Sequence, residues 1–417
     1  MISNSDKDII RGLARSQMEH AMSDRNQMLI KEWKKHKSFC GQRPMICLEM
    51  WGFQDEMILP RLQCEGKEAR EIEYRLYNNF LNAELFDDDT PVPGYFPVRW
   101  HISFLPFGFK RVTEHAKNTE GNSLGYMFIH LIEDLEKDYH KLSESEYSVD
   151  RVSSLEEEEL LNELFGDILP VRRIMDCLVS VPTQDIVSMM SMENMLLFMY
   201  DYPNLFHDMM KRLSDDYISY FKWMEKESLL SRPVDCEQLY QGSFSFANEL
   251  PSSLPGTRPV RTNEVWGYMD SQESAGISPK MFGDFIFPYY KRISECLGPL
   301  SYACCEPVHL IWDDYLRALP NIRKLSISPW CDEEIMGDRL RGRRIVYHRK
   351  PNSNYLGFGN SLNEAALKEH IKTTLYFAKG CNLEITQRDV YTINNDIPKA
   401  RRFIEIIREC VDTYWQG

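Results

Sequence analysis

Residues 300–332 read LSYACCEPVHLIWDDYLRALPNIRKLSISPWCD, and this stretch limits the possible folds more than any other part of the chain. An apolar run at 300–304 is stopped near Pro307, which has no N–H to give to a ladder. Ile311, Tyr315, Leu316 and Leu319 then recur at helical spacing, and Pro320 closes that helix. Residues 324–328 alternate again as a second strand, stopped by Pro329. A strand, a covering helix and a parallel strand within about 30 residues make a βα repeat unit. In such units the polar residues just past each strand are offered to a ligand. Here they are Cys304, Cys305 and Glu306, then Ser328, Trp330 and Asp332.

The same alternation runs through most of the chain. Further strands are expected at 45–50, 176–181, 239–246, 264–269, 344–348 and 382–386. Helices are expected at 55–85, 185–200, 205–230, 362–377 and 397–413. Another is expected at 281–297, with Ser278 as its cap and Pro279 in its first turn. The methionines of 185–200 read as core filler. No G-x-G-x-x-G turn is present, which ranks a doubly wound sheet second. The expectation is an α/β chain forming a TIM (β/α)8 barrel with an N-terminal helical layer and an inserted cap. Its division is a helical extension at 1–40 and a barrel at 41–417, with 86–165 as the cap. Within the cap, Asp87, Asp88 and Asp89 read as a solvated turn, and Glu156 to Glu159 as the solvated start of a helix.

Composition narrows the partners. The 63 acidic and 49 basic residues give a net charge of −14, which disfavours nucleic acid. Eleven cysteines without small-scaffold spacing suggest reduced thiols in a cytoplasmic protein. The first residues carry charges throughout, and no run approaches the ~18 apolar residues of a spanning helix, so no membrane is expected. Glu49 ends the 45–50 strand beside Trp51, where it either caps the next helix or faces a ligand.

Five segments carry a resemblance: SQESAGISPKMFGDFIFPYYKRI (271–293), YACCEP (302–307), PNIRKLSISPWCD (320–332), HRKPN (348–352) and GCNLEITQRDVYTINNDIPKARRFIEI (380–406). In this order they resemble the uroporphyrinogen decarboxylase superfamily, which includes cobamide-dependent methyltransferases. The resemblance implies a TIM-type barrel, commonly dimeric, with its site at the C-terminal rim. The decarboxylases hold a polycarboxylate with arginines in an early segment. The comparable stretch here, GQRPMICLEMWG (41–52), offers Arg43 but also Glu49, which would repel such a substrate.

The methyltransferases use zinc, through a His-x-Cys pair on one strand and a cysteine after the last strand, to hold a thiolate. Alternation along a strand would point Tyr302, Cys304 and Glu306 one way and Ala303 and Cys305 the other. Tyr302 then fills the histidine slot and Cys304 the cysteine slot. Cys381 precedes the last strand, which puts it at the floor, whereas Arg388, Asp389 and Tyr391 follow that strand. A zinc site would accordingly be built from Cys304, Glu306 and Asp389, with Glu273 as a further candidate.

On this resemblance the expected function is methyl transfer between a small substrate or carrier thiol and a cobamide. A corrinoid protein would be the partner and a homodimer the assembly. Cys304, Glu306, Asp389 and Glu273 would be catalytic. Glu49, Trp51, Tyr302, Cys305, Trp330, Arg349, Lys350 and Tyr391 would meet substrate. Two alternatives stay open: a lyase that decarboxylates a different acid, and a non-catalytic binder of a corrinoid or tetrapyrrole. Arg349 also reads as a structural partner for a rim carboxylate, and Cys304-Cys305 as packing.

Overall fold

A computed structural model describes residues 2–117, 123–233, 235–247, 250 and 258–415. Its centre is a seven-stranded, all-parallel sheet. In chain order the strands are β1 (Met45–Leu48), β2 (Leu178–Ser180), β3 (Gly267–Met269), β4 (Leu300–Tyr302), β5 (Ile322–Ile327), β6 (Val346–Arg349) and β7 (Asn382–Gln387). Strands β2 to β7 lie side by side in sequence order, and β7 then pairs with β1, Met45 opposite Glu384. This is the cyclic order of a barrel. Among the described residues no ladder joins β1 to β2. Phe96–Val98 and Val171–Arg173 pair with each other instead, and Asp89 N–H donates to the Ile46 carbonyl alongside β1.

Alternation along each strand sorts the side chains into two faces. Ile46, Leu48, Leu178, Met269, Leu300, Tyr302, Leu325, Ile327, Tyr347, Leu383 and Ile385 join the main apolar core, packed on helices that include Pro203–Lys226, Glu364–Phe377 and Ile397–Tyr414. The opposite face is buried yet polar, with Ser301, Lys324, Ser326, His348, Glu384 and Thr386. Residues 235–247 lie against it. Ser243 Oγ donates to Glu384 (2.6 Å), and Lys37 Nζ donates to both Ser243 (3.1 Å) and Glu384 (2.6 Å).

The N-terminal helices Asn4–Met22 and Asp24–Lys37 form as expected, capped by Ser3 and Ser23. The first packs through Ile10 and Ala14 on Lys67–Phe86 and Arg151–Phe165. Among the described residues, the segment 86–165 contributes no strand to the central sheet. It holds the antiparallel pairs His101–Leu105 with Glu146–Asp150 and Thr113–Lys117 with Ser123–Phe128.

Several local expectations are corrected. The segment between β4 and β5 forms two 3₁₀ turns, Val308–Leu310 and Leu316–Ala318, rather than an α-helix. The helix expected at 281–297 is two, Pro279–Phe285 and Phe287–Ser294, because Pro288 in the second has no N–H for a continuous ladder. That at 185–200 divides at Ser191, which caps Met192–Asp201 through the Asn194 N–H. That at 55–85 divides into Gln54–Ile58 and Lys67–Phe86. Residues 239–246 are a loop, with one isolated bridge from Gln238 to Phe244, because Tyr240, Gln241 and Gly242 all adopt positive φ. The four glutamates lie inside Arg151–Phe165, whose cap is Asp150. Of the three aspartates only Asp87 is exposed. Asp88 accepts from Leu48 N–H and Asp89 from Ile46 N–H, so both brace β1. No described helix is long and apolar enough to cross a membrane.

Candidate functional site

The C-terminal ends of the strands surround a cavity of about 840 Å³, within the ~300–1,000 Å³ typical of small-molecule sites. Glu49 and Trp51 enter it after β1, Val181 after β2, Asp270 and Gln272 after β3, Cys304 and Cys305 after β4, and Arg388, Asp389 and Tyr391 after β7. Tyr240 and Gln241 enter from the loop laid across the polar face. Three of these positions rest on left-handed backbone at non-glycine residues, Tyr240 (φ 62°), Gln241 (60°) and Asp389 (57°), and so does Ala303 (79°) just before Cys304. Such conformations each cost about 1–3 kcal/mol and cluster at functional sites.

Cys304 is held from every side. Strand β4 ends at Tyr302, and Ala303 turns the chain, so that Cys304 N–H donates to Glu306 Oε2 at 2.8 Å. The Cys304 carbonyl accepts from Ser326 Oγ (2.9 Å) and Lys350 Nζ (3.0 Å). Its sulfur lies 3.6 Å from the Cys305 sulfur and 3.4 Å from Arg388 Nη1. Glu49 holds Arg388 in turn, with its Oε2 2.8 Å from Nε. The Cys305 thiol donating to it, together with Lys350 and Arg388, overcomes burial and brings the Cys304 thiol down to about 5. These neighbours favour Cys304 over Cys305 as the sulfur that carries the charge. Cys305 moves the other way, because its proton is held by the Cys304 sulfur and burial adds to the effect.

Asp270 shifts in the opposite direction to Cys304. Burial, reinforced by Glu306 and Cys304, pushes its carboxyl well above the usual range. Oδ2 accepts from Tyr268 at 2.7 Å, while Oδ1 is buried without a hydrogen-bond partner on the cavity wall. An unsatisfied buried oxygen there is a position for a ligand to fill. Lys350 extends the polar wall by donating to Gln241 Oε1.

The cavity thus gathers Cys304, Cys305, Asp389, Glu49, Trp51 and Tyr391, with Lys350 against the Cys304 backbone. Glu273 and Trp330 line an adjoining recess of about 460 Å³ that shares Cys305 and Gln272 with the main cavity. The Glu273 carboxylate accepts from Thr183 Oγ1 at 2.8 Å.

Three expected residues lie elsewhere. Tyr302 is fully buried on the helix side of the sheet, its hydroxyl 2.8 Å from Ser271 Oγ. Glu306 is turned away from the cavity by the N–H groups of Ser271 and Cys304 and acts as a clamp between the ends of β3 and β4. Arg349 shares the outward face of β6 with Tyr347 and pairs with Glu333 at 2.7 Å, the structural role. Cys304, Glu306 and Asp389 do not converge, and among the described residues no three His, Cys, Asp or Glu side chains are grouped to hold a metal ion. Asp270, Gln241 and Arg388 are site residues that the sequence assignment missed. Asp270 directly follows β3, the position occupied by polar residues past the other strands, and this was the available signal.

No protein-family model matches the sequence, and no curated protein matches it. Among solved structures, the chain is similar to a methyltransferase from Methanosarcina mazei, with a TM-score of 0.49 and 13% sequence identity over 91% of this chain and 98% of that one. A likeness at that level leaves function open.

Proposed function

We propose that the cavity is the active site of an enzyme that transfers a methyl group, with the Cys304 thiolate as its sulfur nucleophile. One observation carries this reading: the Cys304 sulfur stands 3.4 Å from the Arg388 guanidinium, on the wall of a cavity sized for a small substrate. A thiolate is the reactive form of cysteine, and cations beside it hold it ionised. The sulfur attacks the methyl carbon of an activated donor. The carbon–sulfur bond forms, the bond from carbon to the donor atom breaks, and the donor leaves with that electron pair. Where the departing atom is oxygen or nitrogen, Asp270, on the wall of the same cavity and with its carboxyl raised by burial, would supply its proton.

The five-segment resemblance favours a cobamide as donor, presented by a corrinoid protein at the rim. No step of this scheme is routed through zinc, because among the described residues no three His, Cys, Asp or Glu side chains are grouped to hold it. Methylcobalamin is the direct probe. Incubation with the full chain should bleach the methyl–cobalt absorbance and leave S-methylcysteine at position 304, and Cys304→Ser should do neither. Unchanged absorbance together with an unmodified Cys304 peptide would remove cobamide-linked transfer.

A second reading is favoured by Asp270 alone. A carboxyl whose hold on its proton is raised by burial is also suited to protonating the carbanion left when a small acid loses CO2. Release of CO2 from a candidate acid by the wild type, abolished in Asp270→Asn and retained in Cys304→Ser, would select that lyase.

A further inference from the structure

Cys304 and Cys305 are adjacent in the chain, and their sulfurs approach to 3.6 Å where both line the cavity. We propose that this pair is an oxidation site. A hydroperoxide converts Cys304 to a sulfenic acid, and Cys305 closes a disulfide onto it, reversibly removing the nucleophile.

Six of the other cysteines, Cys47, Cys64, Cys236, Cys331, Cys381 and Cys410, are buried, as packing residues should be. Cys304 and Cys305 are only partly buried. Cys305 also opens on the recess beside Trp330, so solvent reaches the pair from two directions. Oxidation follows thiolate character and access, and Cys304 has both.

The chemistry balances. The Cys304 thiolate attacks one peroxide oxygen, the oxygen–oxygen bond breaks, and the other oxygen leaves as hydroxide or alkoxide beside Arg388. The Cys305 sulfur then displaces hydroxide from the sulfenic acid, and its proton completes the water. Two electrons pass from the thiol pair to the peroxide.

Bond formation requires the sulfurs to close from 3.6 Å to about 2.05 Å. Glu306, Ser326 and Lys350 pin the Cys304 backbone, so Cys305 makes the larger movement. Consecutive Cα atoms are about 3.8 Å apart, less than the ~4.4–6.8 Å usual across a disulfide. The bond would be strained, and strained, accessible disulfides are the readily reduced, regulatory kind.

The test uses the full chain, hydrogen peroxide and no methyl donor, so its result is independent of the methyl-transfer reading. Peptide mass spectrometry without reduction should find the 302–307 segment lighter by the hydrogens of both thiols. Dithiothreitol should restore both the mass and alkylation at Cys304. Cys305→Ser should accumulate a dimedone-trapped sulfenic acid at Cys304 and pass on to sulfinic acid. Cys304→Ser should leave Cys305 reduced at the same dose. The proposal is overturned if wild-type Cys304 goes to sulfinic acid beside a free Cys305, if neither is oxidised, or if Cys305 oxidises equally without Cys304. The wild-type measurement is decisive even where a variant fails to fold.

Discussion

Arg388 reaches within 3.4 Å of the Cys304 sulfur while Glu49 grips its other edge. Removing that guanidinium deletes a hydrogen bond and a charge that favour the thiolate. Alkylation of Cys304 by iodoacetamide in the wild type should rise with pH through a midpoint near pH 5, where the thiol is set to about 5, and stay flat above. In Arg388→Leu the midpoint should move up toward the ordinary cysteine value of about 8.5. At pH 6 each unit of that shift beyond pH 6 lowers the reactive fraction about tenfold. Peptide-resolved labelling across a pH series measures both. An unmoved midpoint would show that Arg388 does not set the ionisation. The residues flanking the strands are the legible part of this cavity: Glu49, Trp51, Cys304, Cys305, Asp389 and Tyr391, singled out by strand ends and by the resemblance, all line it. Tyr302 and Glu306 were misplaced because alternation was carried past the end of β4. Ala303 leaves the strand in a left-handed turn, φ 79°, and nothing about an alanine signals that conformation.

Among the elements, residues 239–246 read as a strand but belong to the loop 235–247, which lies against the polar face of the sheet. Its apolar and aromatic residues suggested a ladder, and only the run of positive φ at 240–242 makes it a plug. Gly242 is the position where that run requires glycine, since a Cβ there would stand 2.6 Å from Thr386 Cγ2. Beneath it Lys37, Ser243 and Glu384 join a helix, the loop and β7. Burial opposes ionisation of Glu384, but Lys37, His36 and Lys324 more than reverse it, so its carboxyl lies well below the usual range. A carboxylate with a depressed folded-state pKa contributes stability above its unfolded value, about 4.3, and loses it as pH falls. Lys37→Met breaks a pair whose side chains are 2% and 1% exposed, which costs about 3–5 kcal/mol. Urea denaturation at neutral pH should show that loss. The gap between wild type and variant should narrow as pH falls below about 4.3, because Glu384 with fewer compensating cations has less pH-dependent stability to lose. Equal stability across pH 4–7 would place the strength of this junction elsewhere.

At the scale of the molecule, the decisive pairing is β1 with β7, which joins residues more than three hundred positions apart, as in Met45 opposite Glu384. The alternation of strands and helices was legible in the sequence because Pro and polar residues punctuate short apolar runs. The open seam between β1 and β2 was not, since the segments around it pair as Phe96–Val98 with Val171–Arg173 outside the main sheet. The helix Ile397–Tyr414 covers this late-made junction and buries Phe403, Ile404, Ile406, Ile407 and Val411 among other residues. At about 1.5–3 kcal/mol per large apolar side chain, these five contribute roughly 8–15 kcal/mol. That equals the whole net stability of an ordinary domain, about 5–15 kcal/mol. A chain ending at Asp396 keeps every strand of the sheet and every cavity residue, but should not hold them together. It should express as aggregate, or as a species with exposed apolar surface that binds a hydrophobic dye and melts without a cooperative transition. The point substitution Phe403→Ala should retain the fold and lose about 3–5 kcal/mol. If instead the truncated chain melts cooperatively and still presents a Cys304 that alkylates with its midpoint near pH 5, the strands and loops organise the site without their last helix.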